Sequence, residues 1–304
     1  MLAGIEPEVA PGDQCNKPYE CPFQAHCSAG QPTMEWPVDI LPRGGGKRLA
    51  RMGYADLRDV PAELMNTREQ ERIHAATLSG VTDHDRTGAR AAIETWAYPR
   101  IWLDFETVSD PIPQWFGCGP WRQVPFQFSA HVEAADGTID HVEFLQIDGA
   151  DPRRACAEAL ARLPAQGSVI VWFERFEKDR LAELGEDFPD LAPALESLRQ
   201  RVVDLMLVAR DHWYHRDQRG SWSIKRVLPT IAPQLDYMSL EVKDGGEAQN
   251  AYREAVTPDT SEERRAVLDA GLRTYCARDT EAMIVIAKAL TDWPSSEGRR
   301  LNST

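Results

Sequence analysis

Residues 101–108 read IWLDFETV, and this short run limits the fold more than any other part of the chain. In a strand, successive side chains point to opposite faces. Ile101, Leu103 and Phe105 then line one apolar face, while Asp104 and Glu106 share the other. Two neighbouring carboxylates repel one another unless a cation lies between them or one keeps its proton. A divalent metal held by oxygen ligands meets that need. A strand with an acidic, solvent-facing edge carries the same letters, so the run alone leaves both readings open.

The surrounding segments predict an α/β order. FQFSAHVEA (126–134) and HVEFLQI (141–147) alternate as strands around Ala135-Asp136-Gly137, giving an antiparallel meander. DPRRACAEALARL (151–163) has helical spacing, with Asp151 as cap and Pro152 at the first position. SVIVWF (168–173) is a short apolar run of the kind buried on both faces, and ERFEKDRLAELG predicts a helix ending at Gly185. VVDLMLVARDHWY is ambiguous between strand and helix. SIKRVLPTI predicts a helix stopped at Pro229. Thr260 and Glu263 predict a capping box for a long helix through Ala289, with Gly271 its weak point.

Upstream, residues 1–46 read as a Pro-, Gly- and Cys-rich loop region, and 47–97 as small helices broken at Pro61, followed by a polar connector over 80–97. The main domain is expected at 98–293, with a disordered tail at 294–304. No run approaches the ~20 apolar residues of a membrane helix, and the N-terminus lacks the basic start and apolar run of a secretion signal. A cytoplasmic location is expected.

The net charge of −14 argues against wholesale coating of nucleic acid. It leaves room for an acidic site with local basic contacts, for which Arg43, Lys47, Arg48, Arg51, Lys178, Arg180, Lys225 and Arg226 are candidates. Each also reads as a solvated surface charge. Two further acids matter. Glu177 falls in the first turn of the helix after SVIVWF, where a carboxylate is favoured with or without a metal. Tyr275 and Asp279, in YCARDT, are four apart and so share one helix face.

DFET, a strand–helix acid and YxxxD occur here in that order. In this the chain resembles the DEDD superfamily of 3′→5′ exonucleases, RNase H-like enzymes, in the branch whose last motif holds tyrosine instead of histidine. More closely, DFET, WFERFEKDRL, SWSIKRVLP, DGGEA and YCARDTEAM make residues 98–290 similar to a bacterial family of uncharacterised proteins. Those proteins join a RecB-like nuclease region, including a three-Cys segment, to this exonuclease-like domain. The resemblance implies an RNase H-like mixed sheet, an antiparallel meander plus parallel strands, flanked by helices. It also implies two-metal phosphodiester hydrolysis of DNA or RNA, with Mg²⁺ or Mn²⁺ ions roughly 4 Å apart. Asp104 would bridge both ions; Glu106, Glu177 and Asp279 would complete their shells; Tyr275 would position water. Glu177 replaces the usual Asp, and Phe173 stands where relatives tend to have Asn. Lys225, Phe173 and Arg180 are the substrate-contact candidates. Asp204, also acidic, is expected to support the site rather than ligate. Trp115, Trp121 and Trp222 are candidates for base stacking or for packing.

Cys15, Cys21 and Cys27, in CNKPYECPFQAHC, lack the usual two-residue zinc spacing. They resemble the cysteine cluster of RecB-like nucleases that bind a [4Fe–4S] centre, where a fourth Cys lies upstream. His26 is badly placed to serve beside Cys27. A cluster completed from elsewhere, a zinc site and three unliganded thiols all remain open. So do three alternatives to an active nuclease: an inactive nucleic-acid-binding module of the same fold, an iron–sulfur or zinc accessory protein, and an unrelated metal hydrolase.

Overall fold

The computed structural model describes residues 9, 12–15, 21–29 and 34–292, and the tail expected at 294–304 lies outside them. Short helices form the N-terminal third: α1 (Gln24–Ser28), α2 (Gly45–Arg51) and α3 (Arg68–Ser79). Pro61 falls between two 3-10 turns, Leu57–Asp59 and Ala62–Leu64, and Thr67 caps α3 by accepting from Gln70 N. Residues 80–97 are not merely the polar connector expected. They form β1 (Asp83–His84) and α4 (Arg86–Ile93), which buries Ala89 and Ile93. Its polar letters sit on the outer face of a helix too short for its period to stand out.

The meander is β2 (Arg100–Val108), β3 (Val124–Glu133) and β4 (Ile139–Leu145). There follow α5 (Arg153–Leu160), β5 (Val169–Val171), α6 (Glu174–Asp187), α7 (Ala192–Gln200) and β6 (Val202–Asp204). The chain continues through α8 (Leu205–His212), β7 (Trp213–Tyr214), α9 (Ile224–Ile231), α10 (Gly245–Val256) and α11 (Glu262–Asp292). The sheet order is β4-β3-β2-β5-β6, while β1 and β7 pair apart from it. β2 runs antiparallel to β3 and parallel to β5, which is parallel to β6. This is the mixed sheet, meander plus parallel strands, expected of an RNase H-like domain. No helix among the described residues is long and apolar enough to cross a membrane.

Several local expectations need correction. Pro152 is the N-cap of α5 rather than its first residue, although Asp151 Oδ1 still accepts from Arg153 N at 3.1 Å. α6 runs past Gly185 to Asp187. Pro229 lies inside α9 instead of ending it, because buried Ile224, Val227, Leu228 and Ile231 hold the helix to the core despite the missing N–H. Ser261, not Thr260, caps α11: its Oγ accepts from Arg264 N at 3.2 Å, while the Thr260 hydroxyl turns to Glu254 O. The long helix passes unbroken through Gly271, where Glu241 and Val242 pack closely against it.

Each face of the sheet covers its own core. Ile101, Leu103 and Phe105 pack with Leu160 of α5, Leu181 and Leu184 of α6, and Leu195 and Leu198 of α7. Trp102 and Val108 face the other way, into a core shared with α4 and α8 to α11. A bulge in β3 follows from the register, since Glu106 pairs with Gln127 but Thr107 with Pro125, leaving Phe126 over. Phe126 can therefore stack on Tyr252 of α10 at 4.2 Å while Gln127 bonds the Leu272 carbonyl of α11 at 2.9 Å.

The second core also runs across the boundary expected at 97–98, taking in Trp36, Leu41, Leu49, Leu57 and Ile73. Arg216 and Arg219 lie over the Trp36 ring at 5.3 and 5.1 Å. At Gly220, φ is +74°, and a Cβ would fall 1.8 Å from the Ile40 carbonyl oxygen. Only glycine allows both that conformation and that approach. Gly220→Ala should therefore lower stability by more than about 1 kcal/mol in urea unfolding; a change below about 0.5 kcal/mol would show that this contact does not hold the N-terminal region in place.

Candidate metal centre

Asp104 and Glu106 project from the middle of the sheet toward α11, which carries Tyr275 and Asp279 one turn apart. Carboxylate oxygens of Asp104, Glu106 and Asp279 lie within 4.8 Å of one another. Among the described residues, this is the one group of three or more His, Cys, Asp or Glu side chains so gathered. Burial, then the neighbouring Asp279 charge, pushes Glu106 up to about 8. Asp104 is raised well above the usual carboxylate range by burial and by Asp279, Glu106 and Glu177; burial raises Asp279 as well. The cluster cannot fully ionise unaided.

Glu177 reaches the same cavity from the first turn of α6. Phe173, at the N-cap of that helix, offers no side-chain acceptor. Asp204 supplies one instead: its Oδ2 accepts from Glu174 N and its Oδ1 from Leu207 N, both at 3.0 Å. One carboxylate thus caps α6 and α8 together, in the supporting position expected of it. Glu177 is buried, with Oε2 lacking any partner, and burial pushes it up to about 8. An orphaned carboxylate oxygen is costly in a protein interior. An all-oxygen donor set with one buried oxygen unsatisfied fits a hard divalent cation such as Mg²⁺ or Mn²⁺.

The cavity, of about 230 Å³, is also lined by Tyr275 and Lys225. Lys225 does not lie on the helix surface: its Nζ donates to Tyr275 Oη at 2.7 Å. Burial and nearby carboxylates raise Tyr275 far above the usual phenol range, so it stays neutral. The sequence reading missed two neighbours. Tyr237 donates to Asp279 Oδ1 at 2.6 Å, and the buried Cys276 thiol lies 3.9 Å from Asp104 Oδ2. Tyr237 sits in an irregular segment without periodicity to mark it; Cys276 was within the YCARDT motif but carried no separate signal.

Other candidates fall elsewhere. Phe173 lines the cavity with 48% of its surface exposed. Arg180 does not line it: the guanidinium bonds Glu183 at 2.7 and 3.0 Å and lies over Phe176. Trp222 is buried and donates to Trp213 O; Trp115 is half-buried, and Trp121 is exposed. Arg43 pairs with Glu69 and Lys178 with Glu174, Arg48 bonds the Leu64 carbonyl, and Arg51 and Arg226 are exposed. The thiols of Cys15, Cys21 and Cys27 do not form a ligand group of the kind the carboxylates do: Cys15 is buried, Cys21 half-buried and Cys27 exposed.

A family described as a domain of unknown function, DUF2779, matches residues 101–223, which include Asp104, Glu106, Glu177 and Asp204 but stop short of Lys225, Tyr275 and Asp279. An "Uncharacterized protein MG366 homolog" from Mycoplasma pneumoniae is 26% identical over 219 residues, 65% of this chain and 33% of that protein. The chain thus spans about a third of the length of that relative. No solved structure matches the chain.

Two outcomes follow from this geometry. Asp204→Ala removes the cap of two helices and should cost about 2 kcal/mol in urea unfolding, at about 1 kcal/mol per cap. A loss under about 0.5 kcal/mol would mean that the double cap contributes little. The second concerns pH. Glu177 rises from an ordinary 4.5 to about 8, so its stabilising contribution is complete below about 4.5 and is lost as pH climbs through about 8. Glu177→Gln cannot ionise. In EDTA, its stability relative to the unsubstituted protein should therefore grow by more than about 1 kcal/mol between about pH 5 and pH 8. A pH-independent difference would contradict the burial of that charge.

Proposed function

We propose that this chain is a metal-dependent nuclease, a DEDD-type 3′→5′ exonuclease acting on a DNA or RNA strand. The observation that carries this reading is the convergence of Asp104, Glu106, Glu177 and Asp279, from β2, α6 and α11, on one cavity that Tyr275 also lines. Asp104, Glu106 and Asp279 would hold Mg²⁺ or Mn²⁺, with Glu177 completing the donor set. When bound, such cations neutralise the carboxylates, polarise a phosphate and lower the pKa of water.

The chain's own groups do the rest. Tyr275, held neutral, serves as a fixed hydroxyl that orients water and not as a base. In-line attack forms a bond from the water oxygen to phosphorus and breaks the bond from phosphorus to the 3′ oxygen. The water loses its proton to solvent and the departing oxygen gains one, releasing a nucleoside 5′-monophosphate and a strand shorter by one residue. Trp172, Phe173, Phe176, Ile224 and Met283 give the cavity an apolar wall. Such a wall suits a sugar and a base, and the exposed Phe173 ring is suited to stacking, which tolerates any base. Local recognition of this kind is compatible with a net charge of −14. We also place the protein in the cytoplasm, a reading supported by six cysteines that form no disulfide.

Incubating the protein with 5′-labelled single-stranded DNA and RNA in Mg²⁺, Mn²⁺ or EDTA tests the reading. A metal-dependent ladder shortening from the 3′ end is expected, abolished in Asp104→Ala. Calorimetric uptake of Mn²⁺ without cleavage of either strand would leave a binding module of the same fold.

A further inference from the structure

Lys225 extends from α9 into the carboxylate cavity, and its surroundings define what it does there. Its Nζ donates to Tyr275 Oη at 2.7 Å, and the same ammonium lies 4.8 Å from the centre of the Tyr275 ring and 5.3 Å from that of Tyr237. The 2.7 Å hydrogen bond to Oη puts the ammonium beyond the rim of the Tyr275 ring, so the ring whose quadrupole can hold the cation is that of Tyr237. The two rings meet edge-on at 6.1 Å, and Tyr237 donates to Asp279 Oδ1 at 2.6 Å. Buried Ile224, Val227 and Leu228 fix the helix beneath the lysine.

Proton bookkeeping then sets the direction of the hydroxyl. An ammonium has three donors and no acceptor, so Tyr275 Oη must accept from Lys225. The phenol's own hydrogen is left to point to the other side, toward Asp279 and the cavity. Without the lysine, Asp279 still offers an acceptor, but nothing bars the opposite orientation of that hydrogen. We propose that Lys225 is a positioning residue that acts through Tyr275, directing the phenol hydrogen to the place where water or a phosphate oxygen must be held. This rests on the nuclease reading above. A lysine whose role was to bind substrate phosphate would act differently: through affinity and salt dependence, and independently of Tyr275.

The test is steady-state cleavage of 5′-labelled single-stranded oligothymidylate in Mn²⁺ by the full chain, Lys225→Met, Lys225→Arg, Tyr275→Phe and the Met/Phe double variant. Lys225→Met should lower kcat by roughly 10- to 100-fold, with KM within about threefold. Lys225→Arg should recover part of the loss, and Lys225→Met should add little in the Tyr275→Phe background. Thermal unfolding of the same metal-free variants should show coupling between the two positions, a readout that does not depend on turnover. A raised KM with a flatter salt dependence and additive losses would overturn the proposal, as would zero coupling in the unfolding cycle. Cleavage by the unsubstituted chain that Lys225→Met leaves within about twofold overturns the role of Lys225 alone. An unsubstituted chain that takes up Mn²⁺ but cleaves nothing overturns the nuclease reading and this inference with it.

Discussion

Repulsion among three carboxylates gathered at one place, with a fourth lining the same cavity, is the constraint on which the rest of this structure depends. Asp104 and Glu106 stand on β2, the central strand of the five, which pairs with β3 along the stretch that carries both acids and with β5 at Ile101 and Trp102. That backbone cannot yield to separate them. Asp279 is brought against them by a helix of 31 residues, and α11 is tied to β3 by polar contacts as well as by apolar packing. Gln127 bonds the Leu272 carbonyl at 2.9 Å, while Thr280 Oγ1 meets Ser129 Oγ at 2.8 Å and His131 Nδ1 at 2.7 Å. Burial and the stacked His141 push His131 down to about 4, so it stays neutral near pH 7 and adds no charge beside the acids. Rigid elements on both sides hold like charges where separate, mobile ones would drift apart.

Glu177 arrives by another route, and its position depends on β6. The N-cap residue of α6, Phe173, cannot satisfy the helix's first N–H groups. Asp204 does so from the neighbouring strand, and caps α8 at the same time. The parallel pairing of Val171 with Asp204 sets these groups side by side. An apolar residue at the N-cap is ordinarily disfavoured; here it leaves an aromatic ring exposed at the cavity while a neighbour does the capping.

The two faces of the sheet serve different ends. One is closed by α5, α6 and α7 over an apolar layer. The other combines the acids with a larger core that reaches from Trp36 to Leu290. The N-terminal helices therefore take part in the same packing that supports α9 and α11, the helices that carry Lys225, Tyr275 and Asp279.

Strand and helix periodicity made part of this site legible from residues alone. The alternation in IWLDFETV put Asp104 and Glu106 on one face, and the spacing of Tyr275 and Asp279 put both on one side of a helix, because these periods are properties of the local backbone. The order of strands and helices in the main domain was readable for the same reason, while short or mixed segments such as α4 and residues 202–214 were not. Tertiary structure alone decided which basic group enters the cavity. Lys225 turns in and Arg180 turns to Glu183, although both lie on helices beside the motifs. It also brought in Tyr237, from a segment with no period, and kept α9 helical through Pro229. The physical reason is the same in each case: local spacing determines which residues share a face, but what that face meets depends on how elements distant in the chain pack together.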